Sequence, residues 1–251
     1  TQLQADGVQI LGPASGEQAC GEVGAGRMLE ALQLREHVLA HFTPDTRLAG
    51  RRVLITAGPT REPLDPVRFI TNRSTGKQGY ALAAACAAAG AEVTLVSGPV
   101  MLDTPAGVRR IDVETAAEMH AAVLERAPAS DLFIATAAVA DYRAAAPADR
   151  KIKKSADTLS IELVRNPDIL ASVAALDAGR PFCVGFAAET HEVIAYALDK
   201  LRRKRLDLIC ANEVGAGKGF EADDNALFGR GSHCPDCIFD GGTAAAWGFR
   251  R

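Results

Sequence analysis

The stretch that decides the fold lies between residues 53 and 79 and reads Val53-Leu-Ile-Thr-Ala-Gly-Pro-Thr-Arg-Glu-Pro-Leu-Asp-Pro-Val-Arg-Phe-Ile-Thr-Asn-Arg-Ser-Thr-Gly-Lys-Gln-Gly79. It begins as an apolar strand, becomes a loop rich in Gly, Pro, Thr and Arg, and leads into an Ala-rich helix. Such a loop is suited to holding an anion, because helix N–H groups and the positive end of the helix dipole point toward it. The stretch therefore predicts a phosphate-binding loop at Gly58, Ser74 and Gly76. The alternative is a long connecting loop with a Ser or Thr helix cap.

Strand-like and helix-like segments alternate from residue 51 to 214. Strands are predicted at 52–57, 91–97, 107–112, 131–138, 159–164, 182–188 and 206–211, and helices at 77–89, 115–127, 168–176 and 191–205. Continuous apolar strands separated by helices predict a Rossmann-like α/β fold, with a mostly parallel sheet and helices on both faces. Ligands bind beyond the carboxyl ends of such strands, so the informative loops follow residues 57, 138 and 188.

The two ends of the chain differ from this middle region. Residues 11–28 are so rich in Gly that they are interpreted as a flap without regular elements, followed by a helix at 28–41 and a linker at 43–50. Residues 229–251 follow neither a helical nor a strand period. We expect three regions, 1–50, 51–228 and 229–251, with the flap and the tail mobile.

Composition limits the function. A formal net charge of −3 over 251 residues argues against a general nucleic-acid binder. No apolar run approaches the roughly 20 residues that span a bilayer, and the first residues do not resemble a signal peptide. Three of the six cysteines, Cys86, Cys183 and Cys210, lie in apolar runs, which is typical of buried thiols in a reducing cytoplasm. Cys234 and Cys237, beside His233, form a single CxxC pair, which supplies too few ligands for a zinc site.

The loops at the predicted carboxyl edge carry phosphate- and base-binding residue types, each with a simpler alternative. Lys151-Ile-Lys-Lys154 suits a polyphosphate or is a solvated turn. Asp141 suits a metal ion or ribose, or forms a turn, and Phe186 suits a base or the core. The chain lacks GxxxxGK[ST] and GxGxxG after the first strand, so an ordinary P-loop ATPase and a dehydrogenase are disfavoured. A non-catalytic nucleotide-binding module remains as the alternative to an enzyme.

Together these motifs resemble the phosphopantothenate–cysteine ligase family, and within it the bacterial bifunctional proteins in which a phosphopantothenoylcysteine decarboxylase precedes the ligase. The resemblance runs from about residue 8 to about 228 and is carried by residues 55–68, Ala138-Val-Ala-Asp-Tyr-Arg143, Lys151-Ile-Lys-Lys154, Asn166-Pro-Asp168 and Gly185-Phe-Ala-Ala-Glu-Thr190. It implies CTP-dependent ligation of phosphopantothenate to cysteine through an acyl-cytidylate, in a cytoplasmic homodimer that binds neither nucleic acid nor membrane.

The resemblance also implies roles for individual residues. Asn72 positions the acyl-cytidylate for the second step, and Lys151 serves the nucleotide chemistry. Mg²⁺ is expected to bridge the triphosphate. The implied CTP contacts are Ala135, Thr136, Ala137, Asp141, Lys151, Pro167, Asp168, Ile169, Leu170, Phe186, Lys200 and Lys204.

The first region resembles the end of the flavin-dependent decarboxylase. Its flap cysteine, a proton donor in that family, corresponds to Cys20. FMN is expected only in a full-length parent protein, because the flavin-binding core and the catalytic His are not found in this sequence. No decarboxylase activity is expected from this chain alone.

Overall fold

The computed structural model describes residues 2–5, 8, 10–17, 23–42, 45–154, 157–189, 192–213 and 228–231. The chain divides into two compact units, Thr1–Asp45 and Thr46–Arg251.

The first unit contains a β-hairpin where the Gly-rich flap is predicted. Helix α1 (Gln2–Ala5) precedes strands β1 (Ala14–Glu17) and β2 (Val23–Arg27), which pair antiparallel, and helix α2 (Ala31–Phe42) follows. The prediction that residues 11–28 lack regular elements is thus wrong. Glycine weakens a strand without preventing backbone pairing, which needs no side chain. Cys20 lies outside the described residues.

A seven-stranded sheet organises the described part of the second unit. In chain order its strands are β3 (Arg52–Ala57), β6 (Glu92–Ser97), β7 (Val108–Asp112), β8 (Leu132–Ala135), β11 (Phe182–Glu189), β12 (Leu208–Glu213) and β13 (Phe228–Gly231). Their spatial order is β13-β12-β11-β8-β3-β6-β7, and every pair is parallel except β12–β13. The predicted Rossmann-like, mostly parallel sheet is confirmed.

Helices cover both faces of this sheet, also as predicted. Among the described residues they are α3 (Lys77–Ala88), α4 (Ala116–Arg126), α5 (Ile169–Ala174) and α6 (Val193–Arg203), and a 3-10 turn (Ala127–Ala129) follows α4. Successive strand residues point to opposite faces. Leu54 and Phe133 pack with α4, α5 and α6, whereas Val53, Ile55 and Ile134 pack with α3. This alternation explains why the runs Val53–Ile55 and Leu132–Ala135 in the central strands are continuously apolar.

Two short hairpins flank the carboxyl edge of the sheet. Strands β4 (Arg61–Pro63) and β5 (Phe69–Thr71) pair antiparallel, as do β9 (Tyr142–Ala144) and β10 (Leu163–Arg165). The prediction of a sheet strand at 159–164 is wrong: the strand there is β10, outside the main sheet. Leu159, Ile161 and Leu163 keep a period of two but are 59%, 37% and 43% exposed.

Several predicted segments differ in their bounds by a few residues, and two of these differences bear on the site and on the predicted domain boundary. Strand β8 ends at Ala135 rather than at residue 138, although Ala138 still donates a backbone hydrogen bond to Gly58 (2.9 Å). Strand β13 crosses the boundary predicted at residue 228 and pairs with β12. Residues 232–251, including His233, Cys234 and Cys237, lie outside the described residues.

The three thiols predicted to be buried are indeed buried and reduced: Cys86, Cys183 and Cys210. Burial raises the pKa of Cys86 and of Cys183 to about 11 and that of Cys210 to about 12. None of the described helices combines the length and the apolar character needed to cross a bilayer.

Candidate active site

The site is built where the segments that follow β3 and β8 lie side by side. Thr136 donates to the Thr56 carbonyl through its hydroxyl (2.6 Å) and its backbone N–H (3.2 Å). Ala140 donates its N–H to the hydroxyl of Thr60 (3.0 Å), which is fully buried. These bonds hold residues 136–140 against residues 56–60, so the predicted nucleotide contacts at 135–137 border the predicted anion-binding loop.

Asn72 joins a third segment to this pair. Its amide nitrogen donates to the carbonyls of Ala138 (3.3 Å) and Val139 (3.0 Å). The side chain is therefore fixed across the loop, between the segment after β5 and the segment after β8.

The N-terminus of α3 lies beside the same loop. Gly58 and Gly76 both have positive φ values, +74° and +77°, and a side chain on Gly76 would come within 3.5 Å of the Gly58 backbone. Gly76 supplies no side-chain cap, and its own N–H is directed at the Ser74 hydroxyl (3.3 Å). A Cβ on Gly79 would lie 2.5 Å from the Thr136 hydroxyl oxygen, so only glycine lets the helix approach the β8 segment this closely.

Asn166 connects the start of α5 to the segment after β8. Its amide nitrogen donates to the Ala140 carbonyl (2.8 Å), and its backbone N–H donates to the Asp141 carbonyl (2.8 Å). Asp168 then caps α5 by accepting the Ala171 N–H (3.0 Å). The Asn166–Asp168 turn, whose sequence is compatible with a simple helix cap, is thus also a bridge to Asp141.

Two of the predicted CTP contacts, Lys200 and Lys204, form a positively charged cluster at the end of α6. Lys204 makes a 2.6 Å ion pair with Asp168, and Lys200 donates to the Phe186 carbonyl (2.6 Å). Burial raises the pKa of Asp168, but hydrogen bonds from Lys204 and Ala171 and the charges of Lys204 and Lys200 outweigh it, so the pKa is lowered. Both lysines therefore face ionised or carbonyl oxygen.

Not every predicted contact presents its side chain to a ligand. Ile169 and Leu170 are 6% and 7% exposed and belong to the core beneath the sheet. Phe186 is half-buried and packs against the opposite core. Pro167 is likewise half-buried, whereas Asp141 is exposed.

Lys151 is exposed and lies on a segment held by the β4–β5 hairpin. Its neighbour Ile152 donates its N–H to Asp65 (3.0 Å), and the Ile152 carbonyl accepts from the Arg68 guanidinium (2.8 Å). Asp65 is only 3% exposed and also accepts the N–H groups of Val67 (2.8 Å) and Arg68 (2.9 Å). Hydrogen bonding by the Arg68 side chain, against the opposing effect of burial, holds the pKa of Asp65 well below its usual range, with help from the three backbone N–H groups.

Thr60, Asp65 and Asn166 join the loops of the site, yet sequence reasoning assigned none of them this role. Asp65 did carry a local signal, because Asp before Pro in a turn commonly accepts the N–H two residues later, as it does here from Val67. Nothing local indicates its bond to Ile152, 87 residues away. Within the described ranges, no three His, Cys, Asp or Glu side chains are grouped as metal ligands.

Comparisons with known proteins agree with this architecture. The family described as "DNA/pantothenate metabolism flavoprotein C-terminal domain" matches residues 48–232. A relative from Vibrio cholerae, "Coenzyme A biosynthesis bifunctional protein CoaBC", is 64% identical over 224 residues, which cover 88% of this chain and 56% of the relative. The chain thus spans about half the length of the curated relatives it matches.

Solved structures share the fold. The crystal structure of the C-terminal domain of a CoaBC protein is 42% identical, with a TM-score of 0.61 over 73% of this chain and 83% of that one. The DNA/pantothenate metabolism flavoprotein from Streptococcus pneumoniae has a TM-score of 0.62 at 22% identity, covering 73% of this chain and 90% of that one, and shows the fold alone. From residues 48 to 232, this chain belongs to the DNA/pantothenate metabolism flavoprotein C-terminal domain family.

Proposed function

We propose that this chain ligates 4′-phosphopantothenate to L-cysteine at the expense of CTP, through an acyl-cytidylate, as a step of coenzyme A biosynthesis. The observation that supports this most is the bonding of Asn72 to the carbonyls of Ala138 and Val139, which joins the predicted anion-binding loop to the predicted nucleotide-binding segment. The name of the Vibrio cholerae relative supports the pathway.

The chemistry requires activation because the oxygen of a carboxylate is a very poor leaving group. A carboxylate oxygen of phosphopantothenate attacks the α-phosphorus of CTP, and the bond to pyrophosphate breaks. The cysteine amine then attacks the acyl carbon, the bond to CMP breaks, and the amine releases a proton as the amide forms. The protein needs chiefly to align the reactants and to stabilise negative charge on the phosphates.

The residues divide between the two steps. Lys151 provides positive charge near the phosphates during activation, with the loop at Gly58, Ser74 and Gly76 as a second anion-binding element. Asn72 orients the acyl-cytidylate for attack by cysteine. Base and ribose contacts are assigned to Asp141, Phe186, Lys200 and Lys204, to residues 135–137, and to the Pro167–Leu170 backbone.

The donor set suits Mg²⁺ bound mainly through substrate. Mg²⁺ commonly takes one or two carboxylates, with phosphates and water completing its shell. Asp141 is an exposed carboxylate at the carboxyl edge of the sheet, where ligands are expected. Among the described residues it does not belong to a group of three potential metal ligands. The ion would neutralise phosphate charge.

The remaining expectations concern the whole protein. Decarboxylation of the product with FMN, and a role for Cys20, are assigned to a full-length parent, since the chain covers 56% of the Vibrio cholerae relative. A homodimer in the cytoplasm remains our expectation for the ligase part, with phosphopantothenate, cysteine and CTP as its small-molecule partners.

Pyrophosphate release tests the proposal. The chain is incubated with CTP and phosphopantothenate, with and without cysteine, and products are followed by mass spectrometry. We expect pyrophosphate and acyl-cytidylate without cysteine, and phosphopantothenoylcysteine and CMP with it. Saturable CTP binding without pyrophosphate release would instead identify a non-catalytic nucleotide-binding module.

A further inference from the structure

The turn at residues 64–68 is hydrogen-bonded to the segment that carries Lys151. Its own backbone is closed by bonds from the Leu64 and Asp65 N–H groups to the Arg68 carbonyl (2.8 and 3.3 Å). The Leu64 carbonyl then accepts the Ala148 N–H (2.9 Å), on the strand-free stretch that follows β9. A closed turn is thus attached to the lysine segment three residues before Lys151.

A second attachment lies immediately after Lys151. Both backbone polar groups of Ile152 are bonded, with its N–H donated to Asp65 (3.0 Å) and its carbonyl accepting from Arg68 (2.8 Å). Asp65 and Arg68 are joined by a two-point contact through Nε (3.0 Å) and Nη2. Lys151 therefore projects from a backbone fixed at both ends by one turn, although the lysine itself is exposed.

Asp65 is the residue that unites these contacts. It is 3% exposed and accepts from Val67, Arg68 and Ile152, whereas the side chain of its partner Arg68 is 44% exposed. A buried carboxylate with this many donors is held in one orientation. Replacing Asp65 by Asn would leave one acceptor oxygen for donors that two carboxylate oxygens now share, so the hold on Ile152 would weaken while Lys151 stayed chemically intact.

We propose that Asp65 is a positioning residue for Lys151: through Ile152 it sets where the lysine ammonium lies during carboxylate activation. The inference rests on the proposed function for its catalytic consequence, while the Asp65–Ile152 attachment itself can be measured without turnover. A misplacement of about 1 Å can cost on the order of a hundredfold in rate. Asp65→Asn should therefore lower the rate of pyrophosphate release by roughly 10- to 100-fold, with a smaller change in the KM for CTP.

A double-mutant cycle distinguishes positioning from general destabilisation. Pyrophosphate release is measured for wild type, Asp65→Asn, Lys151→Gln and the double variant. If Asp65 acts through Lys151, Asp65→Asn costs less than about threefold once Lys151 is already Gln, because coupled residues are not additive. Multiplication of the two single losses in the double variant would overturn the proposal.

The matched control is Asp131→Asn. Asp131 also accepts a distant backbone N–H, that of Arg52 (2.8 Å), and lies near two arginines, but it stands at the amino ends of β3 and β8, away from the site. Its loss should lower the melting temperature without changing turnover at 25 °C. If Asp131→Asn lowered turnover as much as Asp65→Asn does, the loss would reflect general damage to the fold rather than misplacement of Lys151, and the proposal would be contradicted.

Hydrogen exchange on the unmodified chain keeps the proposal testable if the variants fold poorly or if no ligation occurs. The Ile152 amide should exchange at least tenfold more slowly than the Lys153 amide, and Asp65→Asn should reduce this difference. Fast exchange at Ile152 in the wild type would refute the attachment whatever the enzyme does. Absence of ligation with a protected Ile152 would refute the proposed function and leave the attachment standing.

Discussion

Substituting Asn72 by Asp tests the assignment of the two half-reactions. The amide nitrogen of Asn72 donates to Ala138 and Val139 at 3.3 and 3.0 Å, and a carboxylate offers no hydrogen to either carbonyl. Each neutral hydrogen bond contributes about 0.5–1.5 kcal/mol, so losing two removes about 1–3 kcal/mol of the interaction that positions the side chain. If the transition state for attack by cysteine loses this stabilisation, that step slows by roughly 5- to 150-fold.

Carboxylate activation should continue in part in this variant, because Lys151 and the anion-binding loop are unchanged. Mass spectrometry of the quenched reaction should therefore show acyl-cytidylate accumulating in Asn72→Asp and product forming slowly. Circular dichroism and the Asp131→Asn variant control for loss of fold. Product formation at the wild-type rate would refute the role given to Asn72.

Three further predictions follow from charge and burial. Lys151→Gln should lower turnover by roughly 100-fold or more, since a lost electrostatic donor costs on the order of 2.7–4 kcal/mol, with an unchanged circular dichroism spectrum; full activity would make residues 151–154 a solvated turn. The pKa of Asp65 is lower in the folded chain than the ordinary value of 3.8, so its stabilisation is present above about pH 4 and is lost as pH falls further. Urea unfolding should show the difference between wild type and Asp65→Asn shrinking from pH 5 to pH 2, and a difference that grows would contradict this. Peptide mapping should find Cys86, Cys183 and Cys210 unreactive to iodoacetamide at pH 8 in the folded chain and reactive in guanidinium. Burial raises their pKa values to about 11, 11 and 12, and labelling of any of these three thiols in the folded chain would contradict their burial.

The central sheet could be predicted because its strands are buried on both faces. Val53, Leu54 and Ile55 are successive apolar residues, and each faces one of the two cores, so neither face interrupts the pattern. The sequence also marks where helices begin, since α3 follows Gly76 and α4 begins at a Thr115–Glu118 capping box.

The small hairpins could not be predicted in the same way. Strands β4, β5, β9 and β10 have three residues each, too few to show a period. The alternating apolar residues from Leu159 to Leu163 predicted a strand of the main sheet, but only Leu163 belongs to a strand, β10, which pairs with β9 outside that sheet; pattern alone does not say which strand will pair with it.

In the site, too, some features could be predicted from the sequence and others could not. Asn72 stood out because it lies in a loop with three arginines and Lys77, a set that few structural loops need, whereas the role expected of Lys151 came from the family resemblance. The bonds that fix them, from Asn72 to Ala138 and from Ile152 to Asp65, join positions 66 and 87 residues apart. Such pairings depend on the order of β3 and β8 in the sheet, and a single sequence does not contain that information.

Isotope transfer tests the central claim most directly. The chain is supplied with CTP, cysteine and phosphopantothenate whose carboxylate carries ¹⁸O, and the products are weighed by mass spectrometry. An acyl-cytidylate intermediate predicts one ¹⁸O atom in CMP and none in pyrophosphate, because the oxygen that attacks the α-phosphorus leaves with CMP. Formation of CDP with ¹⁸O in inorganic phosphate, or CMP free of ¹⁸O, would contradict the account.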